Sequence, residues 1–208
     1  MKNPIATLLL VALCAAATTT IAHASPADYD FKDPKGVNTI VFMLDSTFEP
    51  IMGVADGISG TVTFDPKKPK TIKGTISVET KSIHTPNRGM KNKIQAKDWL
   101  DGKTHKTIDF TFKSVEEVKA SRGVYEMTVV ADMTCKGITK KVKTTVTATH
   151  MPGKLSSRMR RANGDLLVLR ANFTINRKDF NIKPEMGNDV VSEKIELRIS
   201  IVGSHVKK

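Results

Sequence analysis

Four histidines, a thiol and a pair of carboxylates are the side chains of this sequence with most capacity for chemistry. His84, His105, His150 and His205 are scattered, and none stands at the spacing of a zinc motif. Cys135, in the run Met-Thr-Cys-Lys-Gly, has no histidine beside it, and Lys136 alone supplies little of the exposed, electropositive setting a reactive thiol needs. It reads as a small residue at a strand end. Asp98 and Asp101 bracket Trp99 and Leu100 and could be read as paired carboxylates for acid and base work. Helix capping and loop hydrogen bonding account for them with fewer assumptions. No G-x-S-x-G elbow occurs, and no glycine-rich loop opens a helix to cradle a phosphate or dinucleotide. The residues point to no catalytic group, no metal and no cofactor. What remains is cationic: Arg88, Lys91, Lys93 and Lys97 gather positive charge that suits an anionic head group such as a phosphate or carboxylate, or a solvated helix face.

Those cations lie in an excursion between two strands. Ile72, Ile76 and Val78 alternate with Lys73, Thr75, Ser77 and Glu79, and Ile108, Phe110 and Phe112 alternate with Asp109 and Thr111. A period of two marks sheet with one buried face. Between them, Met90 and Ile94 share a helix face, and Trp99 and Leu100 form a second apolar pair. So long an excursion, with aromatic weight, predicts a lid rather than a plain turn.

The rest of the chain repeats the strand pattern. Segments beginning near Asn38, Ile58, Tyr125, Val142, Leu167 and Ile195 alternate in the same way, and Asn163-Gly164 predicts a tight hairpin. The stretch from Phe48 to Gly57 is rich in Gly and apolar residues. About eight strands joined mainly by hairpins predict an antiparallel barrel or a sandwich, and periodicity does not choose between them. Inward positions mix Phe, Ile, Leu and Met with Gly60, Gly74, Ala131, Ala148 and Ala171. That mixture is compatible with an axial space or with small residues seated against Phe rings.

Residues 1–24 read as a cleaved secretory signal, with one Lys, an apolar core and Ala22-His23-Ala24 before Ser25, leaving one domain over residues 25–208. Its apolar core is too short for a membrane span, and Leu13 before Cys14 argues against a lipidated leader. Cleavage removes one cation, Lys2, and lowers the formal charge from +12 to +11. Only Cys135 remains afterwards, so no internal disulfide is expected. The basic loops, among them Lys67, Lys68, Lys70, Arg158, Arg160 and Arg161, fit an anionic membrane surface or general solubility. With few aromatics and no recognised nucleic-acid motif, nucleic acid is not an expected partner.

The order of several segments resembles the YceI family. These are Gly60 to Asp65; Ser82-Ile83-His84-Thr85 with Asn87; Ala96-Lys97-Asp98-Trp99-Leu100-Asp101; Ile108 to Ser114; Gly137-Ile138-Thr139-Lys140; and Ile175-Asn176-Arg177-Lys178-Asp179-Phe180. The resemblance implies an all-β, antiparallel, eight-stranded lipocalin-like barrel with a short helix and a long lid loop. It also implies a periplasmic protein that binds a polyisoprenoid or other long amphiphile, and a homodimer, since paired barrels occur in that family. The chain departs from the family at Met90-Lys91-Asn92-Lys93-Ile94, where R-D-x-H-L is common. Gly36 and Asp45 stand where His is frequent, and Asn181 follows Phe180 where Gly is usual. These departures predict altered head-group machinery.

A long hydrocarbon gains roughly 0.8 kcal/mol per buried methylene, so an apolar tunnel can hold it with few polar contacts. The expected walls are Phe42, Gly74, Phe110, Phe112, Ala171 and Phe173, with Ile83 and Trp99 near the lid. Arg88, Lys91, Lys93 and Lys97 are the expected head-group set. The leading expectation is a carrier that sequesters an isoprenoid, quinone precursor or fatty-acid derivative. Its rival is a solid barrel that docks a membrane or protein partner through a basic face. A lipid-modifying enzyme is a third reading and needs acid or base side chains converging inside the barrel.

Overall fold

The computed structural model describes residues 25–207. Eleven strand segments make one antiparallel sheet: β1 (Ala27–Asp30), β2 (Thr39–Leu44), β3 (Ile51–Ala55), β4 (Ile58–Phe64), β5 (Lys73–Glu79), β6 (Ile83–His84), β7 (Thr107–Ser121), β8 (Val124–Cys135), β9 (Ile138–Met151), β10 (Gly164–Asn176) and β11 (Lys194–Val206). Their registers reduce to eight staves. Along β11, Ser204 pairs Asp30 of β1 and Ser200 pairs Thr39 of β2, so β1 and β2 are one interrupted stave. β3 and β4 are likewise collinear, pairing β2 and β1 respectively, and β5 and β6 pair β4 and β3. With β7 to β11 these staves run up and down in chain order, and β11 meets β1 and β2 to close an eight-stranded barrel without exposed edges over most of its length.

The break between β1 and β2 is held by one side chain. Asn38 is buried. Its Nδ2 donates to the carbonyls of Phe31 (3.0 Å) and Val202 (3.1 Å), and its Oδ1 accepts from the Val202 amide (2.8 Å). A primary amide thus replaces the peptide that the ladder lacks at this point.

Two-residue turns close the long hairpins. Arg122-Gly123 joins β7 to β8 and Lys136-Gly137 joins β8 to β9, with φ of 47° and 82°, and 50° and 75°. Both residues of each turn are left-handed, the geometry that matches strand twist. Asn163-Gly164 is not such a turn, against the expectation. Gly164 opens β10 opposite Val206, and a longer connection carrying a short 3₁₀ helix (Leu155–Ser157) precedes it.

The barrel interior differs from end to end. At one end Phe31, Phe64, Met127, Val129, Leu155 and Leu167 are all fully buried, and Tyr29 packs between His150 and His205, with ring centroids 6.2 and 5.9 Å away. Towards the other end, the inward residues Ile108, Phe110, Ala171, Phe173, Leu197 and Ile199 are only half-buried, although the sheet closes around them. Their free surface faces an internal space. The solid-barrel expectation therefore holds for one half of the barrel and fails for the other.

Candidate functional site

The space is a cavity of about 170 Å³. An apolar cavity of roughly 150 Å³ accepts a benzene ring, so this one takes about half a dozen carbon-sized groups. β2 and β3 contribute Phe42, Leu44 and Ile51; β5 and β6 contribute Ile76, Val78 and Ile83; β7 and β8 contribute Phe110, Phe112 and Met133. Ala171 and Phe173 on β10, and Leu197 and Ile199 on β11, complete the wall. Of the bordering residues only Asp109 and Arg170 are charged, and both hold outward positions between inward neighbours. The lumen is apolar.

Its roof comes from the excursion after β6. The helix α1 (Arg88–Ile94) starts at Asn87, whose side chain accepts from the Met90 amide (3.1 Å), and buries Ile94. Gln95 Nε2 donates to the carbonyls of Thr80 (2.8 Å) and Ile83 (3.2 Å) and pins the helix to β6. Trp99 and Leu100 then fold over the cavity. Asp98 and Asp101 neither pair with one another nor cap a helix; of the expected roles, loop hydrogen bonding is the one the structure shows. Asp98 forms an ion pair with Lys183, and the Lys183 amide donates to the Asp98 carbonyl (2.9 Å). Asp101 is left-handed, with φ of 48°, and its carbonyl accepts the amides of Thr104 and His105.

The second half of the roof, Asn181 to Glu193, is organised by Arg177. This guanidinium is fully buried and forms no ion pair with a carboxylate among the described residues. Its Nε donates to Ser192 O (3.0 Å), one terminal nitrogen to the carbonyls of Ile182 (3.1 Å) and Lys183, and the other to those of Met186 (2.5 Å) and Val191 (2.9 Å). Five carbonyl dipoles converge on one rigid fork. The loop held in this way places Ile182 against the cavity. Asn181, where the family resemblance predicts Gly, has φ of 53°, and its carbonyl accepts from Lys136 Nζ (2.5 Å). The position demands a left-handed backbone, which Gly meets best and Asn tolerates. That departure concerns chain shape and not head-group chemistry.

Of the eight expected wall residues, Phe42, Ile83, Trp99, Phe110, Phe112, Ala171 and Phe173 border the cavity. Gly74 does not. It has φ of 132°, and a Cβ there would lie 2.1 Å from Thr61 O, so it serves a close approach of β4 and β5. A Gly74→Leu replacement would strike backbone and would not fill the lumen. Arg88, Lys91, Lys93 and Lys97 are all exposed and none borders the cavity. Lys93 alone borders a second, outer hollow of about 500 Å³ between the β2–β3 turn and α1, with Glu49, Pro50, Met52 and Thr85. Ile51 belongs to the walls of both spaces. Cys135 closes β8 inside the cavity wall, and burial pushes its thiol up to about 12, far from a reactive thiolate. Sequence reasoning missed Ile40, Ile76, Leu197 and Ile199 as wall; their inward parity was the available signal. Ile182 and the place of Ile51 in both walls had none.

A closed antiparallel barrel, solid at one end and hollow and apolar under a roof at the other, is a lipocalin-like barrel. The chain belongs to the YceI family: a YceI-like domain matches residues 33–203. It is 27% identical to a UPF0312 protein of Pectobacterium carotovorum and to Protein YceI of Escherichia coli O157:H7, over 210 residues covering all of both chains in each case. Burkholderia cenocepacia BcnA superposes with a TM-score of 0.63 at 20% identity, over 79% of this chain and 95% of that one. A polyisoprenoid binding domain from Saccharophagus degradans superposes with a TM-score of 0.61 at 10% identity, over 87% and 99%. The barrel, its short helix and its roof are as the resemblance implied. The expected leader lies outside the described residues.

Proposed function

We propose that this protein is an exported, periplasmic carrier that holds the tail of a single-chain amphiphile, isoprenoid or fatty, in the hollow half of its barrel, and that it performs no catalysis. The observation that carries this reading is the cavity of about 170 Å³ with only apolar side chains directed into it. About six chain carbons at roughly 0.8 kcal/mol each give about 5 kcal/mol of gross burial inside the cavity. Association costs offset part of that sum. The polyisoprenoid binding described for the Saccharophagus domain supports the same class of ligand. A longer tail extends past Ile51 into the outer hollow, where Lys93 and Glu49 are the charged groups nearest a head group. This confines the head-group role to Lys93 among the four expected cations. Among the described residues no acid or base side chain converges in the lumen, which disfavours a lipid-modifying enzyme.

Native mass spectrometry of protein purified from its own periplasm, followed by organic extraction and lipid analysis, tests the reading. A stoichiometric adduct that extraction removes supports it and names the ligand. A bare mass, unchanged after incubation with isoprenoid and fatty-acid mixtures, overturns it. The same spectrum reads the homodimer implied by the resemblance.

A further inference from the structure

Three of the seven large apolar side chains that are exposed among the described residues, the most exposed of all among them, lie on one hairpin beside the roof. In the β2–β3 hairpin Val41 pairs Val54 and Met43 pairs Met52, so all four side chains share the outer face of the sheet. Val41 and Met52 are 42% and 57% exposed, and Phe48 at the hairpin tip is 71% exposed. Its amide donates to Asp189 O (3.0 Å), which ties the tip to the loop gathered by Arg177. A core-sized apolar side chain held out in water on a fixed turn is not a packing element. Across the outer hollow, Met52 meets the first turn of α1. Arg88, Lys91, Lys93 and Lys97 on and after that helix are exposed, and none forms an ion pair among the described residues. The acids on the hairpin and on the loop tied to it are Asp45, Glu49, Glu185 and Asp189, while the unpaired cations lie together on the other side of the outer hollow, on and just after α1.

We propose that this rim docks on the surface of an anionic phospholipid bilayer, with the Phe48 tip entering the acyl boundary and the α1 cations on the head groups. The proposal rests on the carrier reading and gives it a loading face. Apolar side chains beside lysines and arginines are the combination that holds a protein in a bilayer interface. The outer hollow lies behind this rim and shares Ile51 with the cavity, so a tail that enters the hollow from the bilayer reaches the cavity wall directly. A second copy of the chain fits this face less well, because each copy carries a strongly positive charge to the contact.

The test is co-sedimentation of the mature protein with vesicles containing phosphatidylglycerol, compared with pure phosphatidylcholine, at low and high salt. Uptake of a fluorescent fatty acid is measured on the same preparations. Partitioning should be at least tenfold stronger on the anionic vesicles and fall with salt. Phe48→Ser, at an exposed position, should weaken it about tenfold on both lipids. Arg88→Gln, Lys91→Gln and Lys97→Gln together should weaken it by about two orders of magnitude on anionic vesicles, at roughly fivefold per cation. Absence of vesicle binding in a protein that still takes up the fatty acid overturns the docking proposal. So does binding that survives these changes and is lost with Arg158, Arg160 and Arg161, or a dimer that Phe48→Ser dissolves. Failure to take up the fatty acid strikes the carrier reading instead and is read separately.

Discussion

Ala171→Phe separates a true cavity from a loose core. Ala171 faces the lumen from β10, opposite Val146 on β9 and Ile199 on β11. A phenyl ring there occupies the room of about six chain carbons. At roughly 0.8 kcal/mol per methylene it removes about 5 kcal/mol of tail burial, between three and four decades of affinity for a chain long enough to fill the parent cavity. Short chains lose little. Over the carbons that fill the parent cavity, affinity should therefore no longer rise with chain length in the variant. In the empty protein the effect has the opposite sign, because the ring gains apolar contacts of about 2 kcal/mol and raises the melting midpoint by several degrees. Thermal unfolding with and without saturated fatty acids of increasing length reads both effects. A variant that melts below its parent with an unchanged chain-length dependence refutes the reasoning, since it shows an overpacked core and no lumen.

Other outcomes follow from the roof and the seam. Arg177→Met leaves five carbonyls without donors, three of them in buried hydrogen bonds, and should cost about 3 kcal/mol, read as a lower urea midpoint; Arg177→Lys, with one compact ammonium, should recover little of it. Asn38→Ala should cost about 2 kcal/mol and leave the Val202 amide in fast hydrogen exchange while its neighbours on β11 stay protected. The hydrogen bond from Lys183 holds the Asp98 carboxyl below its ordinary 3.8. The tie between the two halves of the roof is therefore complete above that value and is lost as pH falls through the depressed folded value. Trp99, the chain's one tryptophan, should report this as a red shift in acid before global unfolding, and Asp98→Asn should show the shifted emission at neutral pH.

The alternation in β5, β7, β8 and β10 was legible because each strand has one face buried and one wet, and polarity alone encodes that. The interruptions were not legible. Asn38 looks like an ordinary loop residue, and only its position opposite Val202 shows a side chain standing in for a peptide. The tight turns were not legible either, because Asn163-Gly164 satisfies the local rule while Arg122-Gly123 and Lys136-Gly137 satisfy the strand register, which is a nonlocal constraint. Seven of eight expected wall positions border the cavity, since inward parity suffices to place a side chain in a barrel. Gly74 shares that parity and still fails, because a small inward residue serves a backbone approach as readily as a lumen. Charge placed the cations on α1 but not the direction in which they point. Buried Arg177 was visible as part of a motif, while its five acceptors lie on a loop whose path no periodicity describes.

The division of the barrel into a solid and a hollow half explains how an empty site is sustained. At about 24 cal/mol per Å³, a void of 170 Å³ costs about 4 kcal/mol relative to a filled interior. That is a large share of the stability of an ordinary domain. The cost is borne by the end packed with Phe31, Phe64, Met127, Val129 and Leu167, side chains that retain almost no free surface, and by long hairpins whose ladders run continuously past the lumen. The roof adds order without filling the space, since Arg177 and Gln95 bind backbone carbonyls and not one another. A tail entering the cavity restores contacts that the wall lacks, so binding and stability are linked: each decade of ligand above its Kd adds about 1.4 kcal/mol. On the proposed carrier reading, the hollow half is the part of the molecule whose stability responds to a bound tail, and the melting midpoint should climb with chain length until the cavity is full.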